Sequence, residues 1–347
     1  MNGKAALKTA SVTLILTGIV SSACSTGNTA KMPESTQEKG FVYTMKEQAH
    51  YNTLLGKYNN FRKTSDNSIK LQFDFYNENI SALKNKYELN KVSGNGSELS
   101  RALNILFWLC EHTYHKNDYD NHVPMNSLDL LEYSFKKGVD HGINCLNLSF
   151  ILTECLLGIG LPAHTVRILP FSYEDTDSHV VTHVYIKSIG KWIMLDPTWC
   201  SYFSDADGNI LNLFEIRGIF ADNKDVYLND EFSYNGKNYI KDLKQIQTYK
   251  QHMAKNLFYF YIKEISTFGQ DNAGMNLYIA PEGFDPFETL IKNFEYRIEL
   301  IKAYKGNDIE ESIKEEFIEY FKNRINIIKE EKQFIYLSPE DFMVIYL

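Results

Sequence analysis

Positive charge is scarce and scattered in this chain. Lys and Arg number 36 against 44 Asp and Glu, a formal net charge of −8, and nowhere in the 347 residues do they gather into a basic run. Binding to nucleic acid rests on Lys and Arg neutralising successive phosphates, so nucleic acid is excluded from the expected partners. Cysteine is also scarce: five residues, Cys24, Cys110, Cys145, Cys155 and Cys200, irregularly spaced and without a C-x-x-C pair. That excludes a disulfide-built scaffold and a zinc ribbon, and leaves room for one thiol kept for chemistry. No internal repeat and no H-E-x-x-H motif occurs, and no apolar run approaches the roughly 20 residues that cross a bilayer.

Apolar residues make up 44% and charged residues 23%, ordinary values that exclude wholesale disorder and a collagen-like repeat. The length fits about two domains, or one large domain with embellishments. Aromatics are plentiful, with 23 Tyr and 22 Phe, which composition alone reads equally as thick aromatic packing or as a broad contact surface.

The N-terminus has the layout of an export signal. Lys4 and Lys8 are basic, Val12 to Val20 is mostly apolar, and Ser21-Ser22-Ala23 are small. Residues 1–23 therefore read as a signal peptide. Its ending on Cys24 resembles a bacterial lipoprotein signal, which implies acylation of Cys24, a membrane attachment through that lipid, and residence in the cell envelope. The family's large aliphatic residue three positions before the cysteine is Ser21 here, so ordinary cleavage after Ala23 is the alternative. Ser25 to Gly40 is small and polar without periodicity, and residues 24–45 read as a flexible tether.

Residues 46–140 carry a mainly helical pattern, with Leu103, Leu106, Leu109 and Cys110 on one face and Leu128 to Phe135 forming a second short amphipathic set. At the other end, Ile313, Phe317, Phe321, Ile325 and Ile328 follow helical spacing and predict a long surface helix over Asp308 to Glu330, within a mixed, mainly helical portion spanning 219–347.

Between them, residues 141–218 are the informative segment. Asn144 is a good helix N-cap and Gly158 or Gly160 a good stop, so Leu146 to Leu157 is expected to form a buried helix, apolar nearly all round. Cys145 falls in its first turn, where unpaired backbone N–H groups and the helix dipole favour a thiolate. After Pro162, alternation over Val166–Leu169, Val180–Ile186 and Trp192–Leu195 predicts antiparallel strands. Period two puts His179, Val181, His183 and Tyr185 on one face. If Lys187 to Gly190 form a four-residue loop, Asp196 lies opposite Val181, one diagonal step from both histidines. Strand geometry leaves His179 and His183 tied as the partner of Asp196.

G-I-N-C-L at 142–146, the G-I-G-L-P-A after the helix, H-V-V-T-H-V, K-W-I-M-L-D-P-T and L-N-L-F-E-I-R at 211–217 together resemble the transglutaminase-like, papain-type superfamily. The resemblance covers roughly 80 residues. It implies an α+β fold with a papain-like core, a central helix packed on an antiparallel sheet between helical N- and C-terminal flanks. It also implies a catalytic Cys145, His179 and Asp196, with His183 standing where the family commonly has an acidic residue and serving as the alternative base. His164 is a second departure, replacing an Arg. The implied chemistry is an acyl-enzyme formed on peptide, protein or cell-wall peptide, with the Cys145 backbone N–H as one oxyanion donor and neither metal nor cofactor required. Hydrolysis, as a peptidase or amidase, is preferred because water is always available. Transamidation of protein glutamine is the alternative, as is a non-catalytic peptide- or glycan-binding module on the same fold.

Plainer readings stand beside these. Free cysteine is often core, the expected fate of Cys155, and Cys200 is expected to be a partly buried structural thiol. Asp196 before Pro197 is also a good turn starter. His112, His115 and His122 are close in sequence but lack an arranged carboxylate, so capping or surface roles are expected in place of metal binding. Trp192 and Trp199, bracketing Asp196, suit either shielding of an ion pair or core packing.

Overall fold

Alternating apolar stretches become a six-stranded sheet, and the apolar helix lies across it. The computed structural model describes residues 47–345 except 67, 270–273, 306–310 and 331–333, so the segments expected to be a signal peptide (1–23) and a tether (24–45), with Cys24, lie outside the described residues. The principal elements are α1 (Glu78–Lys86), α2 (Glu98–His112), α3 (Ser127–Ser134), α4 (Cys145–Gly158), β1 (Ala163–Leu169), β2 (His179–Ile186), β3 (Lys191–Leu195), α5 (Leu213–Ala221), α6 (Leu243–Asn256), β4 (Tyr259–Lys263), β5 (Asn276–Ile279), α7 (Pro286–Ala303), α8 (Glu311–Glu330) and β6 (Ile335–Tyr336). The protein is α+β.

The strand order is β6-β5-β4-β1-β2-β3. Four of the pairings are antiparallel, whereas β6 runs parallel to β5. The sheet is thus mixed, a correction to the expected antiparallel one: β6 returns to the sheet from the end of α8 instead of through a hairpin. Half of its strands come from residues beyond 218, so the sheet is not confined to the 141–218 segment.

Around the site the register follows the side-chain alternation. Ile186 pairs with Lys191 and Thr182 with Leu195, closing the turn over Lys187–Gly190, where Gly190 takes a left-handed φ of 61°. Asp196 therefore emerges beside Val181. His164 lies opposite His183, and Ile168 opposite His179.

α4 is buried from Asn147 to Gly158 because hardly any polar side chain interrupts it. It is fastened to the sheet by its few polar groups: Ser149 Oγ donates to the Val180 carbonyl at 2.8 Å and Thr182 Oγ1 donates to the Ser149 carbonyl at 3.1 Å. Buried Glu154 accepts from the backbone N–H groups of Ser127 and Gly269, each at 3.0 Å. Burial outweighs those bonds and pushes its carboxyl up to about 7. α2 and α3 complete this core around Ile105, Leu109, Leu131 and Ile151.

The opposite face of β1 and β2 meets a second core, in which Val166, Val181 and Met194 pack with Phe203, Phe220, Tyr249, Phe258 and Phe260. This decides the compositional question for those rings, which are fully buried packing and not contact surface. α7 and α8 form a hairpin with its own small cluster of Ile298, Ile301, Phe321 and Ile325. The spacing expected of α8 is present from Glu311 onward, while residues 308–310 lie outside the described residues.

Candidate active site

α4 begins where the chain can supply a cap. The Asn144 side chain accepts from the Asn147 N–H at 3.1 Å, which fixes the first turn and makes Cys145 its first residue. Helix geometry leaves the N–H groups of Cys145 and Leu146 without intrahelical acceptors. The turn is braced from outside: Asn121, in a left-handed conformation with φ 55°, accepts from Asn144 Nδ2 at 3.0 Å and from Asn147 Nδ2 at 2.8 Å.

His179 is the first residue of β2, next to Val180, to which α4 is bonded, and so it stands at the end of the sheet where the helix starts. Its Nε2 meets Asp196 Oδ2 at 2.6 Å. Nδ1 is then the ring nitrogen not taken by Asp196, and Cys145 is near enough to be among the groups that raise the proton affinity of the imidazole. Burial lowers the proton affinity of His179, but the Asp196 carboxylate and then Cys145 reverse that and push it up to about 10. The imidazolium is therefore the stable form at neutral pH. Asp196 is wholly buried and His179 is 3% exposed, whereas Cys145 is only half-buried, so the carboxylate end of the row is internal and the thiol end is open.

Asp196 is held at both oxygens. Oδ1 accepts from the N–H of Thr198 at 2.9 Å and of Trp199 at 3.4 Å, an Asx turn that Pro197 helps to initiate, and the Asp196 and Ser201 backbones pair at 2.8 and 3.0 Å. Oδ2 accepts from the Tyr249 hydroxyl at 2.8 Å besides His179, and Ser201 Oγ lies 2.8 Å from that hydroxyl. Burial opposes the charge of Asp196, yet the imidazolium and these donors hold the carboxyl below its ordinary range. The turn-starting role and the ion-pair role thus coexist in one residue.

Tyr249 was not legible in the sequence. It lies on α6 four residues before Met253, a spacing that reads as core, and its ring does stack on Phe203 at 5.4 Å. His252 was equally silent. Its ring stands edge-on to His179 with centroids 5.0 Å apart, and its Nδ1 lies 3.3 Å from Asp177 Oδ2, which also takes Lys255 at 2.8 Å.

His183 is not brought to Cys145 or Asp196. It stacks between Trp192 and Phe342, with centroids at 5.0 and 5.2 Å, and neither ring nitrogen has a hydrogen-bond partner among the described residues. Burial and then neighbouring His164 hold it well below the usual histidine range. It is thus neutral and faces aromatic rings, whereas His179, the other histidine that strand parity allowed, is the one bonded to Asp196. The two tryptophans divide the roles offered to them: Trp192 packs on His183, while Trp199 lies over Tyr249 at 5.3 Å and covers the Asp196 turn.

The three neighbouring histidines go separate ways. His112 bonds the Trp108 carbonyl at 2.7 Å and stacks on Phe135; His115 Nδ1 meets the Tyr234 hydroxyl at 2.9 Å; exposed His122 pairs with Asp120. Burial and then the charge of His179 press His115 down to about 3. Among the described residues, no group of three His, Cys, Asp or Glu side chains is placed to hold a metal ion.

A row of thiol, imidazolium and carboxylate, open at the sulfur and closed at the oxygen, is able to attack a carbonyl and to return a proton to a leaving amine. Compared with protein-family models, curated proteins and solved structures, the chain matches none, so this geometry is what bears on its activity.

Proposed function

We propose that the protein is an exported, transglutaminase-like cysteine enzyme with a papain-like core, acting on peptide or carboxamide bonds through an acyl-enzyme. The observation that carries this reading is the bond of His179 Nε2 to buried Asp196, with the half-buried Cys145 of a helix N-terminus among the groups that raise the same imidazole.

Cys145 Sγ attacks the carbonyl carbon, and the oxygen that becomes negative is received by the Cys145 N–H at the start of α4. The imidazolium of His179 gives its proton to the departing amine, leaving a thioester and a neutral ring. That ring then takes a proton from water as water attacks the thioester, which releases a carboxylic acid and restores the ion pair. Asp196 keeps the ring oriented throughout. An amine in place of water would give transamidation; hydrolysis is preferred because it needs no second binding site. The substrate class is peptide, protein or cell-wall peptide, reached from a membrane anchor at Cys24.

Labelling with a peptidyl chloromethyl ketone, followed by peptide mapping, tests the assignment. Cys145 is expected to react before Cys110, Cys155 and Cys200. Cys145→Ala abolishes both labelling and turnover, and His179→Ala lowers turnover by at least ~10³-fold. His183→Ala leaves measurable activity. A folded protein that binds peptide while its Cys145 stays unlabelled would be a binding module and not an enzyme.

A further inference from the structure

Two cysteines that the proposed reaction does not use converge beside the Asp196 turn. Cys110 belongs to the last turn of α2, and its Sγ lies 3.5 Å from the carbonyl oxygen of Pro197, the residue after the triad carboxylate. Cys200 closes the same turn from the other side, immediately before Ser201, whose backbone pairs with that of Asp196. Its φ is 46°, a left-handed conformation that is costly for a residue with a Cβ. Both residues line one cavity of about 10 Å³ with Leu148 and Thr198, space for no more than a single water.

We propose that Cys110 and Cys200 form a disulfide on contact with a low-molecular-weight disulfide, stapling the end of α2 to the turn that carries Asp196. The Cys110 thiolate attacks one sulfur of the small disulfide and displaces a thiolate, leaving a mixed disulfide. Cys200 then loses its proton and attacks the Cys110 sulfur, displacing the second thiolate. Two protein thiols are oxidised to one disulfide, one small disulfide is reduced to two thiols, and the two protons end on the released thiols.

The other described cysteines are placed differently. Cys155 is fully buried in the middle of α4, and Cys145 has His179 as its partner. The staple joins two bodies of the molecule that meet at Asp196. Cys110 packs on the helical core of α2, α3 and α4, while Trp199, next to Cys200, belongs to the aromatic core. Closing a loop of about 90 residues also restricts the unfolded chain, so the oxidised form is the more stable. Exchange proceeds through thiolate, and burial together with Cys200 holds the Cys110 thiol well above its usual range. Closure in the folded protein is accordingly slow at neutral pH and faster as pH rises. None of this depends on the proposed reaction.

The test uses the full chain, reduced and then equilibrated to completion with oxidised glutathione at pH of about 8.5, where the small thiolate fraction is larger than at neutral pH. The intact mass is expected to fall by about 2 Da as two thiol hydrogens leave. A non-reduced digest is expected to hold the Cys110 peptide joined to the Cys200 peptide. The melting temperature rises by about 5–15 °C and dithiothreitol reverses it. Cys110→Ser removes the redox dependence of melting. The wild-type digest needs no variant, so a serine variant that fails to fold leaves the question decidable. A stable glutathione adduct in place of the cross-link, pairing of either cysteine with Cys24 or Cys145, or a cross-link that leaves melting unchanged would overturn the proposal.

Discussion

Four donors converge on one buried carboxylate, and their arrangement decides which proton matters. Asp196 takes His179 and Tyr249 on one oxygen and two backbone N–H groups on the other. It is thereby kept charged in a place where burial alone would neutralise it, and its charge in turn keeps His179 protonated. His179, raised to about 10, contributes stability that is fully present below its ordinary value of 6.5 and is lost as pH rises through about 10. The imidazolium that the proposed reaction uses to protonate a leaving amine disappears over the same range. Asp196→Asn is expected to lower kcat/KM by about 10²–10⁴-fold and to move the alkaline limb of its pH profile about 1–3 units toward neutrality. An alkaline limb that stays in place in a folded variant would mean that Asp196 does not set the protonation of His179.

At the scale of elements, α4 and the β2–β3 hairpin bring the row together, and each is shaped by local sequence. The Asn144 cap places Cys145 in the first turn, and removing it leaves a backbone donor unpaired. Asn144→Ala is expected to cost about 1 kcal/mol of stability, read from the urea midpoint. It also releases Asn121 from one of its two contacts, so turnover falls as well, while His179 keeps its bond to Asp196. An unchanged midpoint would show that the cap does not hold this turn. The hairpin was legible because period-two alternation sets the register and one four-residue loop sets the offset, which together put Asp196 beside Val181. β4 to β6 were not legible as part of the same sheet. β4 joins β1 across about 90 residues of chain, a pairing that no local pattern encodes.

For the molecule as a whole, the sheet face that carries His179 also buries His164 and His183 among aromatic rings. His164 Nδ1 has Ser266 Oγ at 2.9 Å, but among the described residues its Nε2 has no partner, and His183 has none at either nitrogen. Burial holds His164 down at about 3, and burial and then neighbouring His164 hold His183 well below its usual range. Both stay neutral in the fold and take up protons on unfolding, so stability is expected to fall as pH drops below about 6.5, by up to about 1.4 kcal/mol per pH unit for each histidine. Urea titrations between neutral and mildly acid pH measure this slope, and His183→Leu should flatten it. An equal slope in that variant would place the acid sensitivity elsewhere. The proposed lipid anchor belongs to this scale too. Cys24→Ala is expected to release the protein from the membrane fraction of its native host, whereas retention would refute lipidation.

The sequence by itself determined the buried helix, its cap, the strand alternation and the position of the turn after Leu195, because each depends on residues within a few positions of one another. From these came Cys145 and Asp196 as candidates, with His179 and His183 undecided on strand geometry. Only the tertiary structure separated the two histidines. Parity places both on one face, but His179 sits at the strand end beside the helix N-terminus, while His183 lies deeper, where Trp192 and Phe342 close over it. The tertiary structure also decided the partners that sequence could not suggest. Tyr249 reaches Asp196 from 53 residues away, and Cys110 and Cys200 come to line one cavity across the length of α4 and the hairpin. Contacts of that kind are fixed by how two cores pack against a shared sheet, and packing leaves no periodic mark on the chain.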